Sequence, residues 1–270
     1  VAVTALPAEP ANAADTITAA DQPYFTYYHL DQARVKGYTG EGVTVAMIDG
    51  PVDIKSPELS SARITDKSPC TVNASAESKS HGTAVASVLV ADGYGVAPEI
   101  SLLTYTNVDK TSVPGKDCMT AGGLDLTSNA SLINHAINDG ALLIVNTTGS
   151  SDRDDGLKWA VAGAVSQGVI ITDAIGNEAR DESRTGLSYW SGVVGVSAVD
   201  TNGARTSYSS WGQGVAVAAV GGPVTVREYP GNSLVQTNGT SFSTPIVAGF
   251  LAMARQKWPD ATSNQLLQLL

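Results

Sequence analysis

The chain has 270 residues, enough to bury a large core and within the range of one α/β domain. Hydrophobic residues make up 43% of it and charged residues only 16%, which indicates a globular rather than a disordered protein. The net charge of −10, without any run of basic residues, argues against nucleic acid or an anionic membrane as a partner. The chain also contains no apolar run of the roughly 18 residues that a membrane-spanning helix needs.

Residues 1–29 are expected to form a flexible lead-in, because the segment begins with alternating Ala, Pro and polar residues. Within it, the aromatic segment that starts at Tyr24 is expected to pack on the body of the domain. Its sequence Ala-Asn-Ala at 11–13 is the small-x-small pattern that ends a secretory signal. Two interpretations stay open: the remnant of an export signal, or a flexible Ala/Pro arm. The remainder, residues 30–270, is expected to form one domain. Because the last apolar segment ends without a cap or a polar tail, we expect the natural chain to continue beyond it.

The first regular element is a continuous apolar run at residues 43–48, followed by Asp49. Such a run predicts a buried parallel strand, and ligands bind at the carboxyl ends of such strands. Residues 81–91 have helical apolar spacing with His81 at the start. A helix N-terminus disfavours a positive charge, so we expect His81 to be largely neutral.

The pattern of apolar strand, loop and amphipathic helix then repeats. Strands are predicted at 100–104, 141–146, 169–173, 193–198 and 215–219, helices at 131–138 and 157–166, and a hairpin at 224–236. The alternation predicts right-handed crossovers and a parallel sheet with helices on both faces.

The hairpin leads to Ser241, which lies between a Gly turn at Gly239 and an apolar helix at 246–254. A Ser at a helix start lies where free backbone N–H groups favour an anion, which suits a nucleophilic hydroxyl. A simpler interpretation is that Ser241 or Ser243 only caps the helix.

Two cysteines, Cys70 and Cys118, are too few for a structural zinc site. A disulfide in an exported protein is the favoured interpretation, with two separate thiols as the alternative.

Asp49, His81 and Ser241 occur in the order Asp, His, Ser, the order of the subtilisin triad. The segments 45–49 (Val-Ala-Met-Ile-Asp), 81–86 (His-Gly-Thr-Ala-Val-Ala) and 239–245 (Gly-Thr-Ser-Phe-Ser-Thr-Pro) resemble the three signature motifs of the subtilisin-like serine peptidases, the subtilases. Further segments at 95–98, 174–178 and 207–212 resemble other landmarks of that family. One motif alone would be weak, but the ordered set is specific and the resemblance covers roughly residues 30–270.

The resemblance implies a doubly wound α/β fold, with a mostly parallel sheet and helices on both faces. It also implies a secreted serine endopeptidase that works through an acyl-enzyme intermediate. In that reaction Ser241 would be the nucleophile, His81 the general base, and Asp49 the residue that orients the imidazole. The side chain of Asn177 and the backbone N–H of Ser241 would form the oxyanion hole.

In this family the substrate binds as an added strand. The resemblance implies that one wall of the binding channel is Thr148, Gly149 and Ser150, and the other is Ala174, Ile175 and Gly176. The sequence departs from the family pattern at Pro51, where Asp-Gly-Pro replaces the usual Asp-Thr-Gly or Asp-Ser-Gly. It departs again at Asp173, in a strand end that is usually apolar. Asp173 is expected either to bias the specificity pocket or to be solvated.

The chemistry implied by the resemblance requires no cofactor and no catalytic metal. Subtilases often hold structural calcium, for which acidic loop residues could supply oxygen ligands or else form a solvated surface: Asp152, Asp154, Asp155, Asp181 and Glu182. We expect a polypeptide substrate, no nucleic-acid or membrane contact from this chain, and a monomer. The location is expected to be secreted or extracytoplasmic, or the cell surface if a further C-terminal segment holds an anchor. The alternative function is a catalytically decayed subtilase fold that binds peptides.

Overall fold

The six apolar runs predicted as strands and one further edge strand form a central sheet of seven parallel strands. The computed structural model describes residues 16–149, 155–182 and 186–270. In chain order the strands are β1 (Thr44–Asp49), β2 (Arg63–Asp66), β3 (Val72–Asn73), β4 (Ser101–Thr106), β5 (Val113–Pro114), β6 (Leu143–Asn146), β7 (Ile170–Ala174), β8 (Val193–Val199), β9 (Val215–Val220), β10 (Val224–Arg227) and β11 (Leu234–Thr237). The sheet order is β2-β4-β1-β6-β7-β8-β9, which confirms the predicted parallel α/β architecture.

Helices cover both faces of this sheet. They are α1 (Pro23–Tyr27), α2 (Leu30–Val35), α3 (Ala76–Val90), α4 (Asn129–Asn138), α5 (Asp155–Ser166), α6 (Thr240–Lys257) and α7 (Ser263–Leu267). Along β1, Val45 and Met47 pack into the core that contains α3 and α6, whereas Ala46 and Ile48 pack into the core that contains α4 and α5. This alternation is the period-two pattern of a strand buried on both faces. Within the described ranges, no helix is long and apolar enough to cross a bilayer.

One strand of the sheet, β2, was not predicted from the sequence. It lies at the sheet edge beside β4, and its residues are largely exposed. An exposed edge strand needs no apolar run, so its sequence Arg-Ile-Thr-Asp carries little signal. The late hairpin was predicted correctly: β10 and β11 pair antiparallel and lead directly to the start of α6.

The segment 16–29 differs from the flexible lead-in expected from its sequence. Tyr24 is fully buried and its hydroxyl donates to the Tyr94 carbonyl at 3.1 Å. The side chain of Gln22 is also buried and donates to the Thr225 carbonyl at 2.7 Å. The expectation of flexibility is therefore wrong for this part, whereas the expected packing of the aromatic segment is confirmed for Tyr24. Burying Tyr24 and satisfying Gln22 offset the entropy lost on ordering the segment.

Cys70 and Cys118 form a disulfide, as the favoured interpretation predicted, with 5.0 Å between their Cα atoms. The bond joins the loop that follows β2 to the segment that precedes α4. It thereby closes a loop that contains α3 and β4, and a covalent link of this kind restricts the unfolded chain.

Candidate active site

Asp49 is the last residue of β1 and is only 1% exposed. Its Oδ1 accepts from the Gly50 N–H at 2.5 Å and lies 2.8 Å from His81 Nδ1. Its Oδ2 accepts a hydrogen bond from the hydroxyl of Thr147. Both carboxylate oxygens are thus held, and the group faces the imidazole in a fixed orientation.

His81 lies one turn inside α3, not at its start. The helix begins at Ala76 after the N-cap Ser75, whose side chain accepts from the Ser78 N–H at 3.0 Å. The expectation that the helix N-terminus keeps His81 neutral is therefore wrong. Instead, the charge of Asp49 raises the pKa of His81 above its ordinary value, against the effect of burial.

Two glycines allow the loop after β1 to approach α3 closely enough for this contact. A Cβ on Gly50 would overlap the Ser78 carbonyl, and a Cβ on Gly82 would overlap the Gly50 carbonyl. Only glycine tolerates such a close approach of two backbones. These positions therefore set the distance between the strand that carries Asp49 and the helix that carries His81.

Ser241 is the second residue of α6 and is 6% exposed. The N-cap is Gly239, so the interpretation of Ser241 or Ser243 as a cap is wrong; the Ser243 hydroxyl donates instead to the Ala219 carbonyl at 3.0 Å. The ring of Phe242, the next residue, lies 6.2 Å from the His81 ring between centroids. No hydrogen bond joins His81 to the Ser241 hydroxyl in the part of the chain that the structure describes.

Asn177 lies against the same helix start. Its Oδ1 accepts from the Thr240 N–H at 2.8 Å and from the Thr240 hydroxyl at 3.1 Å. Because a backbone N–H can only donate, the amide oxygen must face Thr240. The Nδ2 donors are then left for another acceptor; Nδ2 lies 3.4 Å and Oδ1 3.6 Å from where a Cβ on Gly239 would stand. The side-chain amide thus presents N–H groups beside the first residues of α6.

The two predicted channel walls follow neighbouring strands, β6 and β7. Thr148 is half-buried and Gly149 is exposed, whereas Ser150 lies outside the described residues. In the other wall Ile175 is buried, and the Gly176 N–H donates to Thr240 Oγ1 at 3.3 Å. That bond joins the second wall to the N-terminus of α6.

Asp173 is 2% exposed, so the interpretation of this residue as solvated is wrong. Its oxygens accept from Asn146 Nδ2 at 2.7 Å and from the Ser188 N–H at 2.8 Å. Burial raises the pKa of Asp173 to about 7, although these hydrogen bonds act in the opposite direction.

A cleft of about 650 Å³ opens beside His81. The cleft is lined by Asp49, Thr147, Thr148 and Gly149 and by the loop 107–111. The cleft therefore joins the Asp49–His81 pair to the first predicted wall, in a space that could hold one or more peptide side chains.

Two residues of this site, Asn146 and Thr147, were not predicted from the sequence. Each is buried, and each holds a carboxylate: Asn146 that of Asp173, and Thr147 that of Asp49. The only signal in the sequence was their position at the end of a predicted strand, next to a predicted wall.

The acidic residues considered as calcium ligands form no evident site. Asp152 and Asp154 lie outside the described residues, and Glu182 pairs with Arg180, with 2.5 Å between Oε1 and Nε. Among the described residues, no group of three or more His, Cys, Asp or Glu side chains is arranged to hold a metal ion. A structural calcium ion stays a prediction.

Comparison with known proteins agrees with this geometry. Residues 40–270 match the sequence profile described as the subtilase family. A thermostable alkaline protease of Halalkalibacterium halodurans is 32% identical over 90% of this chain and 65% of its own length. Subtilisin E of Bacillus subtilis is 32% identical over 86% of this chain and 60% of its own length. This chain thus spans less than two thirds of those two relatives, but it spans 83% of the subtilisin of Bacillus pumilus, at 32% identity.

Solved structures give the same result. The protease domain of PatA, solved as a mutant, superposes with a TM-score of 0.70 at 26% identity, over 85% of this chain and 86% of that one. A cold-adapted subtilisin-like serine proteinase superposes with a TM-score of 0.67 at 26% identity, over 86% and 82%. The fold and the site define a subtilisin-like α/β protein. The chain belongs to the subtilase family.

Proposed function

We propose that this chain is an exported serine endopeptidase whose catalytic triad is Asp49, His81 and Ser241. The observation that carries the proposal is the bond between His81 Nδ1 and a buried Asp49 carboxylate that is also held by Thr147. A carboxylate fixed in this way selects one imidazole tautomer and leaves Nε2 free to accept a proton. Ser241, which lies beside Phe242 at the start of α6, carries the hydroxyl whose proton this nitrogen would accept.

The reaction has two stages. Ser241 Oγ forms a bond with the carbonyl carbon of the scissile peptide as His81 takes the hydroxyl proton. His81 then gives that proton to the leaving amine as the carbon–nitrogen bond breaks, leaving an acyl-enzyme. Water then attacks the acyl carbon as His81 takes its proton, and His81 gives that proton to Ser241 Oγ as the ester bond breaks and the acid leaves. Asp49 orients the imidazole and stabilises the imidazolium in both stages.

The carbonyl oxygen becomes an anion in both stages. We assign its donors to Asn177 Nδ2 and to the Ser241 backbone N–H. The assignment is supported by the bonds from Thr240 to Asn177 Oδ1, which turn the amide N–H groups to the other side. It is also supported by the position of Ser241 in the first turn of α6, where backbone N–H groups have no intrahelical partner and the helix dipole favours negative charge.

The substrate would bind as an extended strand between the segment Thr148–Gly149 and the segment 174–176. Support comes from their position at the ends of β6 and β7, next to the start of α6. Export is supported by the Cys70–Cys118 disulfide, since such bonds persist in oxidising compartments. A monomeric state is our expectation from the sequence.

The pH dependence should follow His81. The base must be neutral to accept the Ser241 proton, so kcat/KM should fall as the pH drops through the pKa of His81. The charge of Asp49 raises that pKa, so this loss should begin above the usual value of about 6.5. In Asp49→Asn the ring should titrate at a lower pH, because the attraction to the imidazolium is gone. NMR titration of the His81 ring in both proteins measures the shift; equal pKa values would contradict it.

The first test is labelling of the purified protein with a fluorophosphonate, followed by mass mapping of the adduct. Only an activated serine reacts, so we expect a single adduct on Ser241 that is lost in His81→Ala. A folded wild-type protein without an adduct would overturn the proposal in favour of a subtilase fold that binds peptides without cleaving them.

A further inference from the structure

A buried carboxyl group, Asp173, lies in β7 directly before the second wall of the proposed peptide channel and pairs with Asn146 of β6. It is 2% exposed and has no salt-bridge partner in the described part of the chain. A charged carboxylate in such a position costs free energy unless N–H donors replace water. Two donors do so, the Asn146 side-chain amide and the Ser188 backbone N–H.

The first donor connects Asp173 to the wall that follows β6. Asn146 pairs with Asp173 in the register of β6 and β7 and is fully buried. Its Nδ2 donates both to Asp173 Oδ1 at 2.7 Å and to the Thr148 carbonyl at 2.9 Å. Its Oδ1 accepts from the Thr148 hydroxyl at 3.0 Å. The carboxylate therefore fixes the Asn146 side chain, which in turn fixes the backbone of Thr148.

The second donor connects the end of β7, which leads into the opposite wall, to a neighbouring 3-10 turn. Asp173 directly precedes Ala174, the first residue of that wall, and its Oδ2 accepts from Ser188 in the 3-10 turn Leu187–Tyr189. The Ser188 hydroxyl is buried beside the same carboxylate, whose pKa it lowers. The turn and the strand end that precedes the wall are thus held together at Asp173.

Among the residues that the structure describes, no charged group faces Asp173 from the elements packed around it. β6 presents Asn146, and β8 presents Gly195 in register. The turn that carries Ser188 has one titratable side chain, Tyr189, which is exposed. The charges on the two helices packed against β7 lie elsewhere: Asp155 and Lys158 of α5 are exposed, and Arg255 and Lys257 of α6 are in its last turn. Asp49 is connected to Asp173 only indirectly: Thr147 bonds to Asp49, and its chain neighbour Asn146 bonds to Asp173.

We propose that Asp173 is a positioning residue for the peptide substrate: its carboxylate holds both channel walls, and its protonation releases them, so that peptide affinity rises with pH. A carboxylate accepts charge-assisted bonds from both N–H donors, whereas protonation removes the charge that strengthens both bonds and uses one acceptor site of one oxygen for the O–H. Burial, which raises the pKa of Asp173 to about 7, brings this change into the neutral range. The inference rests on the proposed function, since it concerns the channel of the same site.

The test measures peptide binding without catalysis. His81→Ala is the parent protein, because it removes the proposed base and the other group near the cleft that titrates close to neutrality. The probe is a fluorescein-labelled peptide with leucine at its centre, followed by fluorescence anisotropy. Its Kd is measured at about pH 6 and about pH 8, either side of the pKa of about 7.

If only the form with ionised Asp173 binds the peptide, the parent protein should bind it about tenfold more tightly at the higher pH. The reason is that the ionised fraction rises from about one tenth to nine tenths. In His81→Ala/Asp173→Asn the Kd should not change with pH, and at the higher pH it should be about tenfold weaker than in the parent. The asparagine keeps the shape but turns an N–H group toward the Ser188 N–H or toward Asn146. The matched control is His81→Ala/Asp31→Asn, which removes an exposed carboxylate of α2 and should behave as the parent.

A Kd of the parent that does not change with pH would overturn the inference, even if Asp173→Asn failed to fold. So would equal Kd values in the parent and the Asp173 variant at the higher pH, or the absence of any peptide binding. Failure of the proposed function is separate: a wild-type protein that binds the peptide with the expected pH dependence but does not cleave it would refute catalysis and leave the positioning role standing.

Discussion

Ser241→Ala should abolish peptide hydrolysis while leaving the fold intact. The substitution removes the only atom that can form the acyl-enzyme in the proposed mechanism, and a loss of about 10⁶-fold in kcat is the size found when the serine or histidine of a subtilisin is removed. The residual rate would come from binding and from the oxyanion donors. Turnover of a chromogenic peptide measures the effect, and circular dichroism checks the fold.

Ser243→Ala is the matched control, since it removes the same hydroxyl two residues further along α6. Ser243 is fully buried and donates to the Ala219 carbonyl, so its loss should cost stability of about 1 kcal/mol and little turnover. If Ser241→Ala still cleaved the peptide, the assigned nucleophile would be wrong. If only Ser243→Ala were inactive, the nucleophile would be the other serine.

The sheet and the ends of its strands could be predicted from the sequence because parallel strands buried on both faces are continuous apolar runs. That pattern placed Asp49 at the end of β1, and the apolar helix after Gly239 placed Ser241 near its start. Both positions follow from local sequence. The family motifs then indicated which of these polar residues belong to one catalytic site, and periodicity alone does not give that grouping.

The start of α3 was predicted five residues too late because its first turns are polar and partly exposed. Apolar periodicity detects only the part of a helix that packs on the core. The N-cap Ser75 and the Glu in the first turn were the available signals. The error reversed the electrostatic argument for His81, whose pKa is set by the spatial neighbour Asp49 and not by the helix end.

The contacts of Asp173 could not have been predicted from the sequence. They depend on the register between β6 and β7, which aligns Asn146 with Asp173 across 27 positions of the chain. A polar residue at a strand end can be exposed to solvent or buried. Asp173 is buried because the 3-10 turn that carries Ser188 packs over it. Strand neighbours and the coverage of their ends are properties of the assembled fold.

Asn177→Ala should lower kcat by about 10²–10³-fold with little change in KM. That range is the one found when an oxyanion-hole donor is removed from a subtilisin. The physical reason is that the Nδ2 donor would act on a charge that exists only in the transition state, so ground-state binding loses little. Steady-state kinetics with a peptide substrate separate kcat from KM; a rise in KM at constant kcat would contradict the role.

The side chain of Asn177 also accepts two hydrogen bonds from Thr240, so the alanine variant loses a structural contact together with the donor. Asn177→Asp separates the two effects. It keeps an oxygen toward Thr240, at the positive end of the α6 dipole, but replaces the N–H donor with an anionic oxygen beside the developing oxyanion. We therefore expect kcat to fall at least as far as in the alanine variant while the melting temperature is preserved. An active Asn177→Asp variant would mean that Asn177 only stabilises the start of α6 and that other groups stabilise the oxyanion.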